Sequence, residues 1–169
     1  YGFFTKFLSA NFEQVHAFDF PTDILECCKL NLKDYKNVTI HPHGIGDTNT
    51  SVATNDWFAK NRRRGPLGMH VDPTGGGRLH PIRTVDSLKL RNVDLMMIDT
   101  EGYELNVLKG AQQTIKQSRP IIVLEFSNKA LTHKFGYNLD ELEQYLIKME
   151  YLSLGYINVV DRVFVPTGL

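Results

Sequence analysis

Apolar and polar positions fall into blocks along the chain, and the clearest block runs from Val93 to Phe126. Val93 to Ile98 is apolar except for Asp94, and it stops at Asp99-Thr100-Glu101-Gly102. A helical pattern follows, with Leu105, Leu108, Ala111 and Ile115 on one side, and Pro120 ends it. Ile121 to Leu124 is a second apolar run, capped by Glu125. Near-continuous apolar strands separated by a helix predict a parallel sheet covered on both faces. Ligands of such sheets sit at the carboxyl ends of the strands. Here those ends carry Asp99, Glu101 and Glu125.

The flanking pattern extends the same scheme. Phe3 to Ala10 reads as a helix entered from a glycine turn, and Gln14 to Phe20 as a strand ending at Asp19. Asp23 with Glu26 predicts a capped helix whose apolar face is Ile24, Leu25, Cys28 and Leu32. Val38 to His41 is a short strand, with the turn His43-Gly44-Ile45-Gly46-Asp47 at its end. Residues 48–80 are irregular and too long for an ordinary connection. They read as a loop excursion with strands near 51–54 and 80–84. After Glu125 a polar loop leads to a capping box at Asn138 and a helix with Leu139, Leu142, Leu146 and Met149 inward. Tyr151 to Leu154 and Arg162 to Val165 predict an antiparallel pair at one edge. The sum is a doubly wound, mostly parallel α/β sheet with an antiparallel C-terminal hairpin, in one domain over 1–169. The opening, Tyr1-Gly2-Phe3-Phe4-Thr5, reads as a fragment whose first strand and most of whose glycine loop are missing.

Composition narrows the function classes. Formal net charge is zero, so no overall field draws the chain to nucleic acid or an anionic membrane. The one basic run, Lys60-Asn61-Arg62-Arg63-Arg64, reads as a solvated loop. No stretch approaches the roughly 18 apolar residues of a membrane span. Cys27 and Cys28 are adjacent and diverge on a helix, which argues against a disulfide framework and for a reduced, cytoplasmic protein.

Chemistry concentrates at the strand ends. Gly2 lets the backbone approach a ligand at an electropositive helix start. Asp19 ends the second strand of the scheme, where an acid accepts hydrogen bonds from ribose hydroxyls. Asp99 and Glu101 flank Thr100, and a carboxylate there can hold a cationic group, orient a hydroxyl or act as general base. The structural alternative is that Asp99 or Thr100 caps the next helix. A metal shared with Glu125 has no third ligand fixed by spacing, so none is assigned. His41, His43, His80 and His133 read as loop residues, and no spacing selects a proton acceptor among them. Trp57 and Phe58 read as core rather than pocket, and the DPTGGG run at 72–77 as flexible.

These residues resemble the FkbM-type methyltransferases, a branch of the class I S-adenosylmethionine-dependent enzymes. Ile98-Asp99-Thr100-Glu101-Gly102-Tyr103-Glu104-Leu105, continuing through Val107-Leu108-Lys109-Gly110-Ala111, is similar to the family's "IDVEGxE…VLKGA" block, with Thr100 for its Val. Ala17-Phe18-Asp19-Phe20-Pro21 resembles "AFEPxP", Gly44-Ile45-Gly46-Asp47 its "ALGD" turn, and Thr84-Val85-Asp86-Ser87-Leu88 its "TLDSL". The resemblance implies a Rossmann-like fold and S-adenosylmethionine as cofactor. It places Gly2 at the methionine part, Asp19 at the ribose, the Gly44 turn by the adenine, and Asp99 and Glu101 at the methyl-transfer centre, with Phe20 and Asp99 also among the cofactor-binding residues. The implied reaction is O-methylation of a hydroxyl on a sugar or other small molecule. Two rivals share the fold: a nicotinamide-dependent oxidoreductase, and a degenerate module that binds without catalysis.

Overall fold

The computed structural model describes residues 2–21, 23–56, 69–72, 74–126 and 129–168. Trp57, Phe58, the basic run at 60–64 and the first residues of the loop after Phe126 lie outside the described residues. The first helix, α1 (Phe3–Ser9), leads to β1 (Val15–Phe18), α2 (Asp23–Asn31) and β2 (Val38–His41). β1 and β2 pair in parallel, with Val15 beside Val38 and Phe18 beside His41. On α2, Cys28 turns into the core while Cys27 faces out.

The excursion builds a sheet of its own. β3 (Gly44–Ile45), β4 (Thr50–Asp56), β5 (Met69–Val71) and β6 (Arg78–Arg83) lie in the order β3-β6-β4-β5. Only β3 and β6 are parallel; β4 runs antiparallel to both β5 and β6. The two strands expected near 51–54 and 80–84 are β4 and β6, and the DPTGGG run joins β5 to β6. Far from loose, its last glycine is wedged: a Cβ on Gly77 would stand 1.8 Å from the Thr54 carbonyl oxygen.

The third sheet carries the central unit. β7 (Leu95–Ile98), α3 (Glu104–Lys109), α4 (Gln112–Ser118) and β8 (Ile121–Glu125) are followed by α5 (Lys129–Lys134), α6 (Leu139–Lys148), β9 (Tyr151–Tyr156) and β10 (Asp161–Pro166). The strand order is β7-β8-β10-β9, with β7 and β8 parallel and β10 antiparallel to both neighbours. The C-terminal hairpin therefore stands where the pattern put it. The single doubly wound sheet does not: the described strands form three small sheets, two of them mixed. The cause lies partly in β6, where Arg78, Leu79, Pro81 and Arg83 are exposed and only His80 and Ile82 are buried. A strand buried on one face belongs to an antiparallel arrangement, not to the doubly covered interior of a parallel one.

Most of the core lies under the third sheet. Ile98, Leu105, Leu108, Ala111, Ile115, Ile122, Leu124, Leu142, Leu146 and Phe164 form one buried cluster. The expected capping box starts α6, with the Glu141 N–H donating to Asn138 Oδ1 at 2.9 Å and the Asn138 N–H to Glu141 Oε2 at 2.8 Å. Among the described residues no helix is long and apolar enough to cross a membrane.

The helix expected after Gly102 is broken in two at Gly110-Ala111. Two contacts explain the break. Asp86, the acid of the Thr84–Leu88 motif, accepts the Gln113 and Thr114 N–H groups at 3.0 and 2.8 Å and so caps α4 from outside. Gly110 lies against the 44–47 turn, where a Cβ would come within 1.9 Å of the Gly46 carbonyl oxygen. Gly110→Ala is therefore expected to lower stability by about 2–3 kcal/mol, because backbone on both sides must separate. Urea unfolding measures this, and a midpoint equal to wild type would show that the turn yields freely.

Candidate functional site

Asp19, Gly44 and Asp99 follow the carboxyl ends of the parallel strands β1, β2 and β7, and Glu125 closes β8; the expected 43–47 turn is partly strand, since Gly44 and Ile45 form β3. The Asp19 N–H donates to the His41 carbonyl at 3.3 Å, which ties the end of β1 to the end of β2. The Phe20 N–H donates to Asp19 Oδ1 at 2.8 Å and fixes the carboxylate's orientation. Protein packed around one side of this open carboxyl desolvates it and raises it above the usual carboxylate range, against the lowering effect of that hydrogen bond. The Phe20 ring abuts Gly44, so close that a Cβ there would stand 2.5 Å from Phe20 Cε1. Gly46 is packed in the same way against Ile82 and Tyr103. Asn106 of α3 donates to Asp47 Oδ2 at 3.3 Å and ties the turn to the central unit. Gly2 takes a left-handed conformation, φ 83°, at the start of α1, over Cys28 of α2 and Leu32 just beyond it.

The second part of the site is a row of acids. Ile98 pairs with Leu124, so Asp99 continues alongside Glu125, and Glu125 pairs with Asp161 of β10. Asp99 keeps a solvent-facing side while burial of the rest raises its carboxyl; a hydrogen bond with Glu125 acts downward and the Asp161 charge upward. Asp99 and Glu125 therefore interact side by side at the ends of their strands. Glu101 stands across the turn with φ 54°, followed by Gly102 at φ 98°. A left-handed non-glycine residue is strained by roughly 1–2 kcal/mol and persists only where its surroundings impose it. Neither Asp99 nor Thr100 caps α3, whose N-cap is Tyr103 without a side-chain bond. Among the described residues no three His, Cys, Asp or Glu groups are placed to hold a metal ion.

Sequence reasoning missed what imposes the turn. Glu104 is 2% exposed. Its Oε1 accepts from the Thr100 N–H and hydroxyl, both at 3.1 Å, and from the Gly102 N–H at 3.0 Å. The Tyr137 hydroxyl donates to the Gly102 carbonyl at 2.6 Å, lies 3.2 Å from Glu104 Oε2 and accepts the Leu105 N–H at 3.4 Å. Burial and the Glu104 charge keep this phenol protonated far above neutral pH. The available signals were the acid in the first turn of α3, which an exposed helix start would equally carry, and its place as the last acid of the family-like block, which gives no contact.

The histidines are redistributed. His41 lies on β2, where His16 Nδ1 meets its Nε2 at 2.9 Å. Burial first, then the charges of His16 and His43, hold His41 below the ordinary imidazole range. His133 is exposed at the end of α5. His80, expected in a loop, is buried on β6. A groove of about 580 Å³ lined by Glu13, Gln14, His16, Lys36, Asn37 and Thr39 lies toward the opposite, amino-terminal ends of β1 and β2 and involves none of the acids above.

A family model described as the methyltransferase FkbM domain matches residues 9–157. Among solved structures, the chain is similar to a methyltransferase FkbM from Methylobacillus flagellatus KT, with 18% identity and a TM-score of 0.61. The match covers 95% of this chain and 38% of that one. No curated protein matches the chain.

Proposed function

The chain belongs to the FkbM methyltransferase family, and on that basis we propose that it moves the methyl group of S-adenosylmethionine to a hydroxyl of a sugar or other small molecule. What supports this reading is that Asp19, Phe20 and Gly44 stand at the ends of β1 and β2, and Asp99 beside Glu125 at the ends of β7 and β8. The residues fit the cofactor. Asp19 offers an acceptor for ribose hydroxyls, Phe20 an apolar ring for the base, and the acid row a favourable field for a cation. When bound, the sulfonium supplies an activated methyl group. The protein's share is placement, since orientation alone is worth several kcal/mol. Asp99 in its ionised form accepts the proton of the acceptor hydroxyl, Glu125 stands beside it, and Glu101 flanks the acceptor.

In the same reading the two parallel pairs turn their carboxyl ends to one cleft. Among the described residues β1 pairs only with β2, and β7 only with β8. Both pairs belong to a single cytoplasmic domain with its cleft at the carboxyl edge. Calorimetric titration with S-adenosylhomocysteine, with NAD as comparison, tests the cofactor. Saturable binding of the first alone is expected, and Asp19→Ala should weaken it roughly ten- to a hundredfold by removing charged-acceptor hydrogen bonds. Preferential binding of NAD would replace this reading with the oxidoreductase one.

A further inference from the structure

Three imidazoles gather along the β1–β2 pair. His16 and Phe18 lie two residues apart on β1 and so point to the same side. His41 stands beside Phe18 in the register of the two strands, and all of these side chains are half-buried. The His41 ring stacks on Phe18 with centroids 4.5 Å apart and on His16 at 5.2 Å, and His43 stands 5.6 Å away. His16 Nδ1 meets His41 Nε2 at 2.9 Å, a side-chain bond from one strand to the other. Such a bond needs one nitrogen with a proton and one without. The pair can take up one proton and keep the bond. It cannot take up two, because both facing nitrogens would then be donors. Burial first, then the charges of His16 and His43, hold His41 below its ordinary range. Glu13 and Lys36, of opposite charge, line the groove on which His16 opens. The same ladder ends in the bond from the Asp19 N–H to the His41 carbonyl.

We propose that the His16–His41 pair is an acid-sensitive latch, which holds β1 on β2 at neutral pH and lets the carboxyl half of that ladder open when both imidazoles are protonated. The open strands bind one proton more than the latched ones. The latch is therefore complete above the ordinary imidazole value of ~6.5 and is lost as pH falls below it. One proton of difference makes opening roughly tenfold easier at about pH 5.5 than at about pH 7.5. Opening frees Asp19 from the His41 carbonyl and with it the end of β1. The latch belongs to the strand pair itself and is the same whichever cofactor the chain binds.

Amide hydrogen exchange of the free protein, corrected for the intrinsic rate at each pH, tests this in wild type, His41→Gln and His16→Phe. Glutamine can still bond His16 but does not titrate, and phenylalanine can still stack on His41. In wild type the β1–β2 amides, Asp19 among them, are expected to lose about tenfold in protection between about pH 7.5 and about pH 5.5. The β7–β8 amides should keep theirs, and whichever variant folds should keep protection in both sheets. The comparison of the two sheets within wild type needs no variant. An equal loss in both sheets would be a general loosening by acid, to which buried His80 contributes, and overturns the latch. Wild-type protection that does not change with pH overturns it, and so does a loss of the same size in a variant that folds.

Discussion

Asp99→Asn is expected to lower methyl transfer by roughly 10²–10⁴-fold, the range set by losing a positioned proton acceptor. The measurement is S-adenosylhomocysteine released against a panel of sugars and small alcohols. Asparagine keeps the size and one acceptor oxygen but takes no proton. The pH profile makes the test sharper. Burial, opposed in part by Glu125 and reinforced by Asp161, raises Asp99. The ionised form is the base, so wild-type turnover should climb with pH through that raised value and then level off. The variant should be slow and flat across the same window. Stability moves the other way. A folded state that binds the proton more tightly than the unfolded chain loses stability as pH rises from the ordinary aspartate value to the raised one. At neutral pH Asp99 therefore carries an electrostatic cost that asparagine relieves. The variant should unfold at a temperature no lower than wild type, so a loss of rate cannot be read as a loss of fold. Unchanged turnover would remove Asp99 from the mechanism.

The parts legible in the sequence were those whose signal is local. The run before Asp99, the run before Glu125 and the inward side of the intervening helical pattern could each be read from consecutive residues, and Leu108, Ala111, Ile115 and Leu124 are fully buried as that pattern required. The Asn138–Glu141 cap was legible for the same reason. What was not legible depends on chain far away. The break at Gly110 comes from the Gly46 carbonyl and from Asp86, neither of which a window around the helix contains. The burial of His80 follows from strand parity set by Ile82 and contradicts the hydropathy of Leu79. The separation into small sheets follows from strand pairing across the excursion, which periodicity within each strand does not encode.

The site repeats this division. Asp19, Asp99 and Glu101 were visible as acids closing apolar runs. Glu104 and Tyr137 were not, because one looks like an ordinary first-turn acid and the other lies in a polar loop 33 residues on. Yet the turn that presents Asp99 and Glu101 depends on them. Its backbone turns left-handed at two consecutive residues, and its donors are directed inward to one carboxylate. The accessible acids of this turn are thus held by an acid that is buried.

Glu104→Ala follows from this arrangement as the largest expected effect on stability. Truncation strands the Thr100 and Gly102 N–H groups, the first half-buried and the second buried. Each such group costs about 1–3 kcal/mol, so a loss of roughly 3 kcal/mol is expected, near the upper end for single substitutions. Glu101 then loses the frame that imposes its strained φ, and the turn relaxes toward a conformation that no longer presents Asp99 and Glu101 together. Glu104→Gln separates shape from charge. Its carbonyl oxygen serves the same three donors, and its amide nitrogen takes the place of Oε2, where it donates to the Tyr137 oxygen. Tyr137 keeps its own proton on the Gly102 carbonyl. Glutamine should therefore restore most of the stability, to within about 1 kcal/mol of wild type, the net worth of an ordinary hydrogen bond. Tyr137→Phe should fall between the two, since it frees the Gly102 carbonyl and the Leu105 N–H but leaves Glu104 Oε1 in place. Denaturant unfolding of the three variants ranks them directly. A glutamine variant as unstable as alanine would mean that the negative charge, not the acceptor geometry, holds the turn, and the account of Glu104 as its frame would have to be given up.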